Sequence, residues 1–178
     1  MSRTPRAVTI RAATATDVPA VLSFIRELAV YERLEHEVVA TERDVQAALF
    51  GPRRCAEVAL ACLDGTPVGF ALYFHNFSTF IGKPGIYLED LFVRPESRGR
   101  GVGKRLLAWL AALALERGCA RLDWAVLDWN EPSIGFYKGL GAVALDDWMT
   151  MRLTGEALER LAGSDPPNQA TGDQDQSP

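Results

Sequence analysis

The sequence predicts an α+β domain whose mixed, mostly antiparallel central sheet of about six to seven strands is flanked by helices. Short β-branched or apolar runs, typical of strands, alternate along the chain with segments whose apolar residues recur at helical spacing. An Asp64-Gly65 step between two apolar runs predicts an antiparallel hairpin. A glycine-rich segment that leads into a long apolar helix indicates a strand–turn–helix unit in the second half.

The first half of the chain predicts two helices and three strands. Thr14–Asp17 and Thr41–Asp44 each have the pattern of a capping box, which starts a helix. The first helix is expected to extend to about Tyr31, and the second ends at Gly51-Pro52. The strands are expected at Val8–Arg11, Ala56–Leu63 and Pro67–Phe74.

The second half predicts further strands on both sides of a long helix. That helix begins in the glycine-rich segment and extends to Arg117, where Gly118 ends it. Shorter helices are expected at Asn130–Gly139 and Thr154–Leu161, and strands at Ile86–Val93, Arg121–Leu127, Val143–Leu145 and Trp148–Leu153. The folded domain is thus expected at residues 7–162. Residues 163–178 have almost no apolar side chains and are expected to form a disordered tail.

Composition and charge exclude several classes of protein. The length of 178 residues fits one domain, and a hydrophobic share of 48% excludes wholesale disorder. The net charge is −4, and the segment before the tail carries 19 basic and 20 acidic residues, which disfavours a nucleic-acid binder. Three cysteines without a CxxC pair argue against a disulfide scaffold, and no metal site is expected. The longest apolar run, Leu106–Leu115, is too short to span a bilayer, and without an apolar signal region a cytoplasmic location is expected.

The segment Arg98–Lys104 joins a predicted strand to the long helix and favours an anion. Free backbone N–H groups and the helix dipole meet there, and three glycines allow close approach of a phosphate. A Walker A loop is excluded because it needs glycine at position 98 and serine or threonine at position 105. The GxGxG spacing also fits a dinucleotide fold poorly. A flexible basic turn with no ligand is the remaining alternative for this segment alone.

Read with its surroundings, this segment resembles the Arg/Gln-x-x-Gly-x-Gly signature of the Gcn5-related N-acetyltransferase (GNAT) superfamily. Tyr87–Val93 and Ala125–Lys138, together with Tyr31-Glu32, are similar to the diamine acetyltransferases, of the spermidine/spermine N1- and thialysine Nε-types. The resemblance extends from about Ile10 to Leu153. It implies a GNAT fold, acetyl-CoA as cosubstrate and a homodimer.

The resemblance also implies which residues form the site. Acetyl-CoA would be held by Leu91, Phe92, Val93, Arg98, Gly99, Arg100, Gly101, Val102, Gly103, Lys104, Asn130, Glu131, Pro132 and Ser133. The amine substrate would be bound by Tyr31, Glu32, Glu89, Asp90, Asp123, Trp124 and Ala125.

The reaction requires acid–base groups. A primary amine with a pKa of about 10 must lose a proton before it attacks a thioester, and the departing thiolate needs a proton. Glu89 is the candidate base, directly or through a water molecule, with a simple salt bridge as the alternative. Tyr137 is the candidate acid, although a lone tyrosine beside Phe136 is more often a packing residue. No cysteine or serine sits in an activated arrangement, so direct attack without a covalent enzyme intermediate is expected.

The sequence therefore predicts an acetyl-CoA-dependent N-acetyltransferase that acts on a primary amine of a small thialysine-like, lysine-like, diamine or polyamine substrate. Ser78 stands where the polyamine-preferring enzymes carry an acid, which favours the thialysine type. Two alternatives stay open: a protein lysine or N-terminal acetyltransferase, and a non-catalytic CoA-binding sensor.

Overall fold

The computed structural model describes residues 7–164, which form five strands, five α-helices and three 3-10 turns. The strands are β1 Val8–Ala12, β2 Glu57–Leu63, β3 Thr66–Ser78, β4 Lys83–Val93 and β5 Leu122–Trp124. The helices are α1 Val18–Glu32, α2 Glu42–Phe50, α3 Val102–Glu116, α4 Glu131–Lys138 and α5 Gly155–Ser164. The 3-10 turns lie at Ala15–Asp17, Glu35–Glu37 and Pro95–Ser97. No helix within residues 7–164 combines the length and the apolar character needed to cross a membrane.

The five strands lie in the sheet in the same order as in the chain, β1-β2-β3-β4-β5. The first three pairs are antiparallel, and β4 pairs with β5 in parallel, since α3 separates the two strands along the chain. At the β2–β3 turn, Asp64 and Gly65 have φ angles of 51° and 80°. Positive φ at both positions is what a tight two-residue hairpin requires. The predicted α+β class and the hairpin are confirmed.

One cluster of core residues lies between the sheet and the first two helices. Phe24 of α1 stacks on Phe70 of β3 with ring centroids 5.5 Å apart, and Phe92 of β4 packs beside them. Val45 and Leu49 bring the apolar face of α2 into the same cluster. Thr41 and Asp44 form the predicted capping box at the start of α2, so the sequence pattern and the local geometry agree.

The predicted count of six to seven strands is wrong for the described residues, which contain five. Val143–Leu145 and Trp148–Leu153 form no strand, and their large apolar side chains are exposed, Met149 to 83%. A strand needs a hydrogen-bonding partner and a buried face, and these segments have neither here. β5 is shorter than predicted. By contrast β3 and β4 extend beyond their predicted bounds into residues 75–85, because Asn76 pairs with Gly85 and Ser78 with Lys83.

The chain divides into two compact units with the boundary between Asp128 and Trp129. The first contains the sheet and helices α1 to α3, and the second contains α4 and α5. The predicted tail begins within α5, which includes Gly163 and Ser164, and the rest of it lies outside the described residues.

Candidate active site

Strand β4 contains a bulge at Glu89. On the neighbouring strand β3, Leu72 and Tyr73 are consecutive, and they pair with Asp90 and Leu88 respectively. Glu89 is therefore the extra residue of β4 and has no partner in this ladder. Bulges of this kind change the direction of side chains and are common beside active sites.

The bulge moves Asp90 to the opposite face of the sheet from Leu88. Tyr73, the partner of Leu88, contacts Trp109 of α3 with ring centroids 6.1 Å apart. Leu72, the partner of Asp90, packs instead against the core beneath α1 and α2. In a regular strand, residues 88 and 90 would share one face. The extra residue thus turns the Asp90 carboxyl towards the α1 side.

Three acidic side chains form a carboxylate cluster, which comprises Glu32 at the end of α1 and Glu89 and Asp90 on β4. Burial, together with the charges of Glu89 and Glu32, raises the pKa of Asp90 to about 6. Burial also raises the pKa of Glu32. Such a concentration of negative charge attracts a cation, and a bound ammonium group would favour the charged form of Asp90.

Beyond the bulge, one edge of β4 has no paired strand within residues 7–164. β5 pairs only with Ile86–Leu88 and ends at Trp124, whereas β4 continues to Val93. In the described part of the chain no strand follows this edge from Glu89 to Val93. Its backbone can therefore bond an extended ligand in the way that an added strand is bonded. The predicted cofactor residues Leu91, Phe92 and Val93 lie along this edge.

Residues 98–104, here called the phosphate turn, lead into α3. Gly99 and Gly101 have φ angles of 71° and 74°, a left-handed conformation that glycine adopts without strain. Helix α3 begins at Val102, and the first N–H groups of a helix have no partner within it. Arg100 and Lys104 are exposed beside the turn. The turn thus has the backbone and charge that a phosphate group requires.

The two other arginines near the phosphate turn are engaged by the protein. Arg98 donates from Nε to the carbonyl of Val93 at 2.8 Å, and its guanidinium lies 4.9 Å from the ring centre of Tyr31. Arg105 donates to the carbonyl of Val8 at 2.7 Å. Arg98 therefore has a structural contact in addition to its predicted place in cofactor binding.

The predicted substrate residue Asp123 has protein partners. Arg121 Nε lies 2.8 Å from Asp123 Oδ2, and the Asn76 amide donates to the same oxygen at 3.1 Å. Burial, and then the charges of Glu89 and Asp123, raise the pKa of Tyr87. Sequence reasoning missed Asn76 and Tyr87. The strand period of two could have indicated Tyr87, which lies two residues before Glu89.

The other predicted residues lie at the end of β5 and in the second unit. Trp124 is the last residue of β5, and Ala125 follows it. In the second unit, Asn130 is buried (6% exposed) and caps α4, where its side chain accepts a hydrogen bond from the Ser133 N–H at 3.4 Å. Tyr137 lies on α4 with its ring 5.3 Å from that of Phe136. Glu131 and Pro132 occupy the first turn of α4.

Comparisons with known proteins cover both units. The profile described as "Acetyltransferase (GNAT) family" matches residues 22–142. The thialysine N-epsilon-acetyltransferase of Bos taurus is 40% identical over 167 residues, which cover 88% of this chain and 98% of that enzyme. The L-ornithine N5-acetyltransferase NATA1 of Arabidopsis thaliana is 33% identical and covers 85% of this chain and 86% of its own. An integron cassette protein from the mobile metagenome of V. cholerae has a TM-score of 0.74 at 29% identity, covering 87% of this chain and 97% of that one.

Proposed function

The chain belongs to the acetyltransferase (GNAT) family and is an N-acetyltransferase for small amines, and we propose that its acceptor is the side-chain primary amine of a lysine-like or ornithine-like diamino acid. The carboxylate cluster is the observation that carries this proposal. Two of the three carboxyl groups have a raised pKa. The cluster lies at the end of α1, and its negative charge would attract a cationic amine there. The names of the thialysine and ornithine enzymes support the same class of acceptor.

Acetyl-CoA is the proposed donor, and it supplies the thioester whose carbonyl carbon receives the amine. The phosphate turn fits its pyrophosphate through the backbone of Gly99 and Gly101 and the charges of Arg100 and Lys104. The edge of β4 at Leu91–Val93 fits the extended pantetheine arm. The first turn of α4, at Asn130, Glu131, Pro132 and Ser133, adds contacts that the family resemblance implies.

In the proposed mechanism Glu89 removes a proton from the ammonium group, directly or through a water molecule. The neutral nitrogen attacks the thioester carbonyl carbon, a C–N bond forms, and the C–S bond breaks. Tyr137 gives its proton to the departing thiolate and is reprotonated from solvent, to which the new amide nitrogen loses its second proton; the proton taken by Glu89 also returns to solvent. Glu89 suits its role because it is exposed on the bulge, beside the unpaired edge of β4. The role of Tyr137 is supported by the sequence pattern from Asn130 to Lys138.

An amine panel tests the proposed function. Purified protein is given acetyl-CoA and, separately, thialysine, lysine, ornithine, putrescine, spermidine or spermine, and CoA release is measured. We expect the highest kcat/KM with a diamino acid. Ser78 supports this preference, because it is buried and its Oγ accepts a hydrogen bond from the Ile81 N–H, so no acid stands at that position. Turnover only with spermidine and spermine, or CoA binding without any turnover, would contradict the proposal.

Substitution of Tyr137 tests the proposed acid. Tyr137→Phe removes only the hydroxyl, so kcat should fall by about 100-fold or more while the Kd of acetyl-CoA changes little. Tyr73→Phe is the matched control, because that phenol lies in the sheet and contacts Glu57 at 3.4 Å. Equal kcat in Tyr137→Phe and wild type would remove Tyr137 from the mechanism.

Substitution of Glu89 tests the proposed base. Glu89→Gln keeps the size of the side chain and removes its ability to take a proton. The rise of kcat/KM towards alkaline pH should move or disappear, as measured from about pH 6 to about pH 10, near which a primary amine loses its proton. An unaltered pH profile would show that Glu89 is not the base.

We also propose that the protein is a cytoplasmic homodimer with an acetyltransferase domain at residues 7–162. Three free cysteines, Cys55, Cys62 and Cys119, suit a reducing compartment. The exposed apolar side chains of residues 143–153 supply a surface that a second copy can cover. The molar mass of the protein in solution, measured by light scattering, tests the dimer, and a mass of one chain at micromolar concentration contradicts it.

A further inference from the structure

Two arginines attach the segment between β4 and α3 to one face of α1. Arg94 donates to both carboxylate oxygens of Glu27, at 3.0 and 2.8 Å, and its guanidinium lies 4.7 Å from the ring centre of Phe24. Four residues later, Arg98 lies over Tyr31. Residues 24, 27 and 31 share a face of α1, because they are spaced by three and four positions. The connection between β4 and the phosphate turn is therefore attached to α1 at two positions about one helical turn apart.

The Arg98 side chain connects three elements. Its Nε donates to the carbonyl of Val93, the last residue of β4, at 2.8 Å. Its guanidinium carbon lies 5.6 Å from the ring centre of Phe92 and 4.9 Å from that of Tyr31. Its own backbone begins the phosphate turn. One planar cation thus joins the end of β4, the start of the phosphate turn and the last turn of α1.

The contact at Tyr31 leads directly to the carboxylate cluster. Glu32 is the next residue and the last of α1, after which Arg33 adopts a left-handed φ of 63°. The Leu34 N–H closes the helix end on the carbonyl of Ala29 at 2.8 Å. Because this helix end is fixed by its own hydrogen bonds, the backbones of Tyr31 and Glu32 are held together at the end of α1.

We propose that Arg98 is a positioning residue that couples the phosphate turn to the acceptor end of α1, so that CoA and the amine bind cooperatively. This inference rests on the proposed function, since it takes the turn as the CoA site and the cluster as the amine site. CoA that orders the turn also fixes Arg98, which holds Tyr31 and Glu32 in place for the amine. By linkage, the amine must strengthen CoA binding by the same factor.

Calorimetric titration of CoA, with and without a saturating amine that the enzyme turns over, tests the coupling. CoA carries no acetyl group, so no reaction occurs. In wild type we expect the amine to lower the Kd of CoA by about five- to tenfold. In Arg98→Lys and in Tyr31→Leu this factor should fall to about one. The double variant, Arg98→Lys with Tyr31→Leu, should also give a factor of about one, because both changes remove the same contact.

Two further variants separate coupling from phosphate binding. Tyr31→Phe keeps the ring that Arg98 contacts, so any change in amine affinity should be equal with and without CoA. Arg100→Lys changes an exposed arginine of the phosphate turn, and any loss of CoA affinity should be equal with and without amine. The inference is overturned if Arg98→Lys weakens CoA equally in both conditions, or if Tyr31→Leu leaves the factor at its wild-type value. If the wild type turns over amines but a saturating amine leaves the Kd of CoA unchanged, the coupling is refuted and the proposed function stands. Absence of turnover refutes the proposed function.

Discussion

Replacement of Asp90 by asparagine should make the protein more stable at neutral pH while it weakens amine binding. Asp90 lies beyond the bulge of β4 on the α1 side, and its charged form is disfavoured first by burial and then by Glu89 and Glu32. Asparagine has nearly the same shape and no charge. The substitution therefore removes the unfavourable charge without opening a cavity.

The size of the effect follows from the pKa. A rise from 3.8 to about 6 is roughly two units, and one unit corresponds to about 1.4 kcal/mol. The gain in the free energy of unfolding on Asp90→Asn therefore has an upper limit of about 3 kcal/mol. Part of the effect comes from Glu89, which is exposed to solvent, so we expect Asp90→Asn to raise the free energy of unfolding by about 1–3 kcal/mol at pH 8.

The pH dependence has a defined sign. Between pH 3.8 and about 6 the folded protein retains the Asp90 proton that the unfolded chain has lost, so wild-type stability decreases as the pH rises through this window. The stability of Asp90→Asn lacks this contribution. The difference between the two proteins should therefore be smallest near pH 4, grow up to about pH 6, and stay constant above that.

Urea unfolding at several pH values, with Asp128→Asn as an exposed control, measures this difference. In parallel, the KM for a diamino acid at pH 8 should rise by about tenfold in Asp90→Asn, since one of the attracting charges is lost. A stability difference that is constant from pH 4 to pH 8, or an Asp90→Asn protein that is less stable than wild type at pH 8, would refute this account of Asp90.

Two other substitutions test the fold around the site. Gly85→Ala places a methyl group against the Asn76 amide oxygen and should lower the free energy of unfolding by about 1–3 kcal/mol in urea titrations; Gly163→Ala, which meets no neighbour, should not, and equal effects would contradict the steric explanation. Asp17→Asn removes the carboxylate that accepts two hydrogen bonds from Arg11, at 2.7 and 2.8 Å, and should cost about 1 kcal/mol. Because Arg11 holds the pKa of Asp17 far below its ordinary value, this loss should be constant above about pH 4 and decline only in stronger acid, as thermal unfolding across pH would measure.

Local features of the fold could be predicted because neighbouring residues determine them. The capping box of Thr41 and Asp44 and the hairpin at Asp64-Gly65 each depend on a few adjacent residues, and the structure has both. The conformation of the phosphate turn is local in the same sense, since it requires glycine at positions of positive φ.

The features that depend on distant residues could not be predicted in this way. The run Tyr87–Val93 looks like a regular strand, and only the register of β3 shows that Glu89 is an extra residue. The contact of Arg98 with Tyr31 joins residues far apart in sequence. An apolar pattern predicts strands at Val143–Leu145 and Trp148–Leu153, but the pattern does not show whether a surface is available to bury them.

The identical order of strands in the chain and in the sheet has a consequence for how the protein folds during synthesis. Each of β2 to β4 pairs with the strand that precedes it in the chain. Helices α1 and α2 are inserted between β1 and β2 and pack on the same sheet. The buried residues of the core cluster between them lie within residues 18–92, which are synthesised before the phosphate turn and α3. Glu32, Glu89 and Asp90 are included, whereas the phosphate turn and α3 follow. We therefore expect the carboxylate cluster to assemble before the phosphate turn, and β5 to join the sheet last, because its parallel pairing must wait for the whole of α3.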